Sequence, residues 1–425
     1  MSRWKNIRLA AWLVTAGLLP GHQVRGADFS WQAGGPGLAT ACVTNVRSFV
    51  IYTIVRVERS ALRRELRLHS THARNTVVGL ATVSDQADAL PRELGTPVAG
   101  INGDFFMMNG SAMGDPRGLQ ILRGELISVP TGAAAFWQDA RGDLHAESVS
   151  SRLTVEWPGG GTRLAGLNEQ LNTNAIVLFT PSMGLLHREK SGNRFGLGGR
   201  ADGGRGNSRR GSNTNSPFGA IPQGGPIRPP GGREFILEPA SGPWLPLRIG
   251  QTCQAKVRDH ADGFTNVPPG LMLMMLGSNL LATLPPITNG TPVTIRVATA
   301  PDLTGVQHAL GGGPLLVRAG RTHEVTARMS DEPHPRAALG WNDQHLYLVV
   351  ADSLHSGIRF GIRLTDLADF MIDLGCREAI NLDGGRSNTL MLNSRTINHP
   401  RQGEPREIAN ALIILRQGAA TKADQ

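Results

Sequence analysis

Cysteine is scarce in this chain. Cys42, Cys253 and Cys376 stand far apart, with no CxxC pair and no metal-ligand spacing. That excludes a cysteine-built metal centre. It also argues against a cysteine nucleophile, since no partner motif accompanies any of the three. An oxidising compartment would permit one disulfide with one thiol left over, and the sequence does not select the pair. Histidine is present, but the twelve residues show no ligand spacing. There is no HExxH, no GxSxG and no dinucleotide fingerprint. Gly311-Gly312-Gly313-Pro314 is not followed by GK[ST] and is no phosphate loop; its glycines suit close backbone packing or the wall of a site. Aromatic residues are few, at 5%. After the first twenty residues no apolar run is long enough to span a bilayer.

Negative charge is short as well, giving a formal net charge of +9. The excess is local. Residues 1–26 carry Arg3, Lys5, Arg8 and Arg25 without an acid. Residues 189–233 carry eight bases against Glu189 and Asp202. The remaining body is nearly neutral, which removes the basic balance as an argument for nucleic-acid binding. The charged start and the apolar run Leu9–Leu19, closed by Pro20 and Gly21, predict a signal peptide cut after Gly26, hence export to the periplasm or the exterior without stable membrane insertion. Residues 189–233 are rich in Gly, Arg, Ser and Asn and too poor in apolar groups to bury a core, so they are predicted as a disordered insertion. It divides one catalytic domain into residues 27–188 and 234–417, with a tail at 418–425.

What the chain has in quantity is glycine (53) and proline (27), with many short apolar runs, which predicts turns and strands. Strands are predicted at Ser48–Val57, Pro97–Ile101, Ala175–Thr180, Leu346–Ala351 and Ala379–Leu382. A hairpin is predicted over Gly118–Ser128, turning at Arg123-Gly124. Leu62–Leu68 fits either a strand or a short helix. A helix over Thr365–Leu374 follows from its apolar spacing, with Thr365 as cap, Asp366 and Asp369 in its first turn, and Gly375 as its stop. The expected fold class is α+β: a large mixed or antiparallel β core with few helices.

The stretch of most chemical interest is Asn381-Leu382-Asp383-Gly384-Gly385-Arg386-Ser387-Asn388-Thr389. It sets a carboxylate at a strand exit and bares the backbone beside it with two glycines. Four further motifs precede it in order: Ile101-Asn102-Gly103-Asp104-Phe105-Phe106, Gly311–Leu316, Arg336-Ala337-Ala338-Leu339-Gly340, and Ala351-Asp352-Ser353. Together, over roughly residues 40–416, these resemble the phosphodiester glycosidase family, whose bacterial members are exported and exopolysaccharide-related. The chain departs from the family pattern at Arg386, where a third glycine stands, at Asn388 for Ser, at Ala337 for Thr and at Ser353 for Gly.

The resemblance implies a hydrolase that cleaves between a sugar's anomeric carbon and a phosphate oxygen, on a substrate like a GlcNAc-1-phosphodiester, exposing a phosphomonoester. Such chemistry asks for a cationic fork and for carboxylates near the oxocarbenium-like centre. Asp383 is the candidate nucleophile or charge stabiliser, and Asp352 and Asp104 compete for the acid–base role. Arg336, supported by His334, is the candidate phosphate binder. Asn102, Gly384, Gly385, Arg386 and Ser387 complete the binding set, Arg386 with a guanidinium able to grip phosphate bidentately. Phe105 and Phe106 fit core packing better than sugar stacking. No cofactor is expected. The alternative of Ca²⁺ or Mg²⁺ held by Asn102, Asp104, Asp352 and Asp383 lacks any calcium-loop spacing. Two other readings compete: a non-catalytic polysaccharide-holding envelope protein, and a metal-dependent phosphodiesterase cutting the other P–O bond. The sequence leaves the oligomeric state open.

Overall fold

The structure, a computed structural model, describes residues 29–45, 49–109, 112–184, 231–261, 267–354, 361–400 and 403–418. The predicted signal, nearly all of the insertion at 189–233 and nearly all of the tail lie outside these residues. At the far end of the insertion, Arg233 opens the strand Arg233–Pro239.

Alternating apolar residues build four sheets among the described residues. The first has eight strands, in the order Gln32–Gly35, Leu38–Asn45, Val50–Glu58, His345–Ser353, Arg336–Trp341, Glu378–Leu382, Leu315–Arg318 and Arg321–Thr322. A five-stranded sheet follows the order Arg395–Thr396, Leu390–Leu392, Thr96–Asn102, Asn410–Arg416 and Leu66–His72. A six-stranded sheet contains Thr131–Gln138, His308–Gly311 and the hairpin Gln120–Leu122/Glu125–Ser128. A second eight-stranded sheet takes Arg233–Pro239, Thr252–Ala261, Met272–Leu276 and their neighbours. Pairing is antiparallel throughout, save Gly166–Leu167 beside Ile176–Phe179. The fold is therefore α+β, dominated by an antiparallel β core.

Strand Glu378–Leu382 shows how burial sets its orientation. Ile380 and Leu382 face the core that joins the first sheet to the five- and six-stranded sheets, meeting Ile101, Leu310, Leu390 and Leu412. Ala379 faces the opposite side, where helix Leu364–Asp373 packs through Leu364, Leu367, Ala368 and Met371. Each large side chain so buried contributes roughly 1.5–3 kcal/mol. The helix begins one residue before Thr365, so Thr365 is not its cap: Arg363 is. The orphan N–H of Leu364 is met from outside the helix by the Asp331 carboxylate, at 3.1 and 3.3 Å. Asp366 lies in the first turn, but Asp369 lies beyond it. Gly375, at φ +90°, ends the helix as expected.

Leu62–Leu68 divides into a helix, Arg59–Arg64, and the start of strand Leu66–His72. The hairpin turns at Arg123-Gly124, both with positive φ, 51° and 77°, as a two-residue turn requires. The three cysteines are free, so the disulfide that the sequence permits does not form. Among the described residues no helix is long and apolar enough to cross a membrane.

Candidate active site

The chain leaves the first sheet at Leu382 and enters the five-stranded sheet at Leu390. Asp383–Thr389 bridges the two, and Asn102 clamps both ends of the bridge. Its amide nitrogen donates to the Asp383 carbonyl at 2.7 Å. Its side-chain oxygen accepts from the Thr389 N–H at 3.1 Å. Asn102 is fully buried, as a polar side chain can be when its bonds are made. The two glycines serve different ends. A Cβ on Gly384 would sit 2.5 Å from the Pro335 carbonyl oxygen, so Gly384 permits tight packing. Gly385, at φ +64° with nothing near, turns the chain, and its N–H donates to that same carbonyl at 2.8 Å.

Asp383 and Asp104 are brought together. The Asp383 N–H donates to the Gly103 carbonyl at 3.0 Å, and the charge of Asp383 adds to the raising of Asp104. Asp104 is buried, with Gly118 and Gly311 so close that a Cβ on either would strike its Oδ2. Burial lifts its pKa to about 7, against the N–H groups of Gly118 (2.7 Å) and Phe105 (2.8 Å) and the charge of Arg117, which pull it down. Because the folded value lies above the unfolded one, Asp104 favours folding below about pH 4, and that contribution is lost as pH climbs through about 7. Burial also raises Asp383, opposed by Ser387, the Gly384 N–H and Arg406. The Ser387 hydroxyl lies close enough to act on Asp383, yet its buried oxygen meets no partner in good hydrogen-bond geometry.

The remaining candidates are placed differently. Asp352 stands apart from the pair, with both carboxylate oxygens engaged. Oδ1 accepts from Asn388 Nδ2 (3.1 Å), and Oδ2 accepts from Asn398 Nδ2 (2.9 Å) and the His399 N–H (3.0 Å). It acts here as a clamp on the Asn388–His399 segment. Arg336 turns its fork to the Asp331 carboxylate and the Glu332 carbonyl, with Nε towards Ile362 O, so its guanidinium is built into the latch at the helix start. His334 is exposed and pairs through its backbone with Ile362. Nor do Asn102, Asp104, Asp352 and Asp383 offer a common set of open oxygens for a cation, since Asn102 and Asp352 are committed as above. Among the described residues, no group of three or more His, Cys, Asp or Glu side chains suits a metal.

Beside the bridge lies a cleft of about 380 Å³ lined by Leu80, Arg386, Glu404, Pro405, Arg406 and Glu407. Arg386 was expected here and Arg406 was not. Arg406 sits over the Phe106 ring, 5.1 Å from its centroid, and Phe106 itself is buried as core. The sequence reading also passed over Asn410. Its Oδ1 accepts from the Asp104 N–H at 2.8 Å, and its Nδ2 donates to Gln120 at 3.1 Å. A polar residue at the mouth of the apolar strand Asn410–Arg416 was the available signal. Arg406, in a polar loop, offered none.

Geometry and sequence pattern together define a β-rich protein of glycosidase type. Residues 257–415 match the family model described as phosphodiester glycosidase. No curated protein matches the chain. Among solved structures, a hypothetical protein from Synechocystis is similar at a TM-score of 0.63 and 18% identity, over 90% of this chain and 62% of that one. The chain thus spans less than two thirds of that protein's length. A proposed exported protein from Burkholderia pseudomallei is similar at 0.57 and 16%, over 86% and 74%. These two share the fold. The zebrafish N-acetylglucosamine-1-phosphodiester alpha-N-acetylglucosaminidase catalytic domain, auto-inhibited by its pro-peptide, matches at 0.42 and 14%, over 89% and 81%.

Proposed function

We propose that this chain is an exported glycosidase that hydrolyses the bond between an anomeric carbon and a phosphate oxygen in a glycosyl phosphodiester, releasing the sugar and a phosphomonoester. The observation that carries this reading is the pairing of Asp104 and Asp383 beside a cleft lined by Arg386 and Arg406 together with Glu404 and Glu407. Two neighbouring carboxyl groups with unequal environments divide acid from base. Asp383, within the field of Arg406, takes the role of the carboxylate that faces the oxocarbenium-like charge. Asp104, with a pKa about 7, holds the exchangeable proton for the departing phosphate oxygen. Arg386 and Arg406 hold the phosphodiester anion, a task Arg336 leaves to them while it binds Asp331. Asn102 and Ser387 keep the bridge in shape. The charged start, the apolar run Leu9–Leu19 and the exported description of the Burkholderia neighbour support export.

The reading calls on no cofactor, so turnover should survive EDTA. The pH profile tests the acid. As pH rises through about 7, Asp104 loses its proton and kcat should fall. Asp104→Asn should remove this alkaline limb and lower kcat by about 10² or more. An unchanged limb in the variant, with near-parental rate, would transfer the acid role elsewhere.

A further inference from the structure

A second cleft, of about 320 Å³, lies far from Asp383, at the seam of the five- and six-stranded sheets. Strand Asn410–Arg416 touches both places, Asn410 beside Asp104 and Leu415 on this second cleft. Five residues of strand separate the two by about 17 Å. Arg67 and His69 enter from strand Leu66–His72, Arg123 from the hairpin turn, His308 from the six-stranded sheet, and Asp139 from the turn after Gln138. The two imidazole rings lie 4.3 Å apart, centre to centre. His308 Nδ1 accepts from the Ser70 N–H at 3.3 Å, while the Ser70 hydroxyl donates to Ile121 O at 2.6 Å. That fixes the His308 proton on Nε2, as a donor. His69 is only 4% exposed, lines the cleft, and is assigned no hydrogen bond there. Asp139 is occupied within its own turn by the N–H groups of Arg141 and Asp143 and by His145. The lining thus carries Arg123 and Arg67, whose Nη1 donates to the Leu62 and Leu66 carbonyls, against the single carboxylate of Asp139, leaving a net positive charge.

We propose that this cleft is a second binding site, for a phosphate group either free or on a small sugar. Arg123 and Arg67 supply charge, and His308 and His69 supply directed bonds, in a cavity sized for a small molecule. The proposal does not depend on the activity assigned to Asp383. Burial, with the field of Arg123 on both rings and of His69 on His308, holds both histidines neutral, with pKa values lowered to about 4 for His69 and about 3 for His308. An oxyanion among them reverses that field, so binding should take up protons and tighten as pH falls.

Titration calorimetry of the full chain with inorganic phosphate and with a hexose 6-phosphate, in buffers of different ionisation heat, tests this. Binding with proton uptake is expected. Tighter binding of the sugar phosphate would assign the site to phosphorylated sugars, and equal binding to free phosphate. Arg123→Gly suits the left-handed turn and should keep the fold while weakening binding at least about tenfold. Arg406→Gln, at the first cleft, should bind like the parent. The proposal is overturned if neither ligand binds at about 10 mM. It is overturned equally if binding is kept by Arg123→Gly but lost in Arg406→Gln, which would place the anion in the catalytic cleft.

Discussion

Asp383→Asn should leave a folded protein with almost no turnover. The substitution keeps the shape and keeps an oxygen for the Gly384 N–H, which Asp383 Oδ1 accepts at 2.9 Å. Burial raises the pKa of Asp383, so a neutral side chain there relieves a cost of folding. Tm should stay at or slightly above that of the parent. The transition state, by contrast, loses the charge that faces the anomeric centre. Electrostatic contributions of this kind are worth about 10²–10³ in kcat. Circular dichroism and steady-state kinetics on a glycosyl phosphodiester check both halves. Near-parental turnover in a folded variant would move the essential carboxylate elsewhere, and loss of fold would make Asp383 a turn residue only.

Asp352→Ala should show the opposite pattern. Removing the carboxylate takes an acceptor from the Asn388 and Asn398 amides and the His399 N–H. Asn388 keeps the Arg336 and Ala351 carbonyls, the exposed His399 can turn to water, and one N–H of the buried Asn398 amide is left unmet. An unmet buried donor costs about 1–3 kcal/mol, so a loss of that size is expected. For a domain of this size that lowers Tm by roughly 1–4 °C. Thermal melts beside kcat measured well below the transition decide the matter. A stable variant whose rate collapses would make Asp352 the acid–base residue.

Much of this was legible in the sequence, for a physical reason. Period-2 burial fixed strand Glu378–Leu382, since Ile380 and Leu382 must share one face and Ala379 the other. The glycines at Arg123-Gly124 and Gly375 marked a turn and a helix end because few other residues accept positive φ. Asn102 was expected as a positioning residue, and it clamps the Asp383 bridge. What was hidden depends on contacts between distant segments. Asp331 lies 33 residues from Leu364, the N–H it caps, and the same carboxylate takes the Arg336 fork that was expected to hold phosphate. Arg406 reaches the cleft from a loop with no pattern of its own. Asp104 and Asp352 look alike in sequence, each near a strand end. Their partners separate them, Asp383 for one and a ring of amides for the other.

The central claim is cleavage on the sugar side of the phosphate oxygen. Hydrolysis of a GlcNAc-1-phosphodiester in ¹⁸O-labelled water, followed by mass spectrometry of both products, tests it most directly. The account predicts that the label appears on C1 of the released sugar and that the phosphomonoester stays unlabelled. Label in the phosphate would show P–O cleavage and contradict it, as would the absence of turnover from a protein that still binds the substrate.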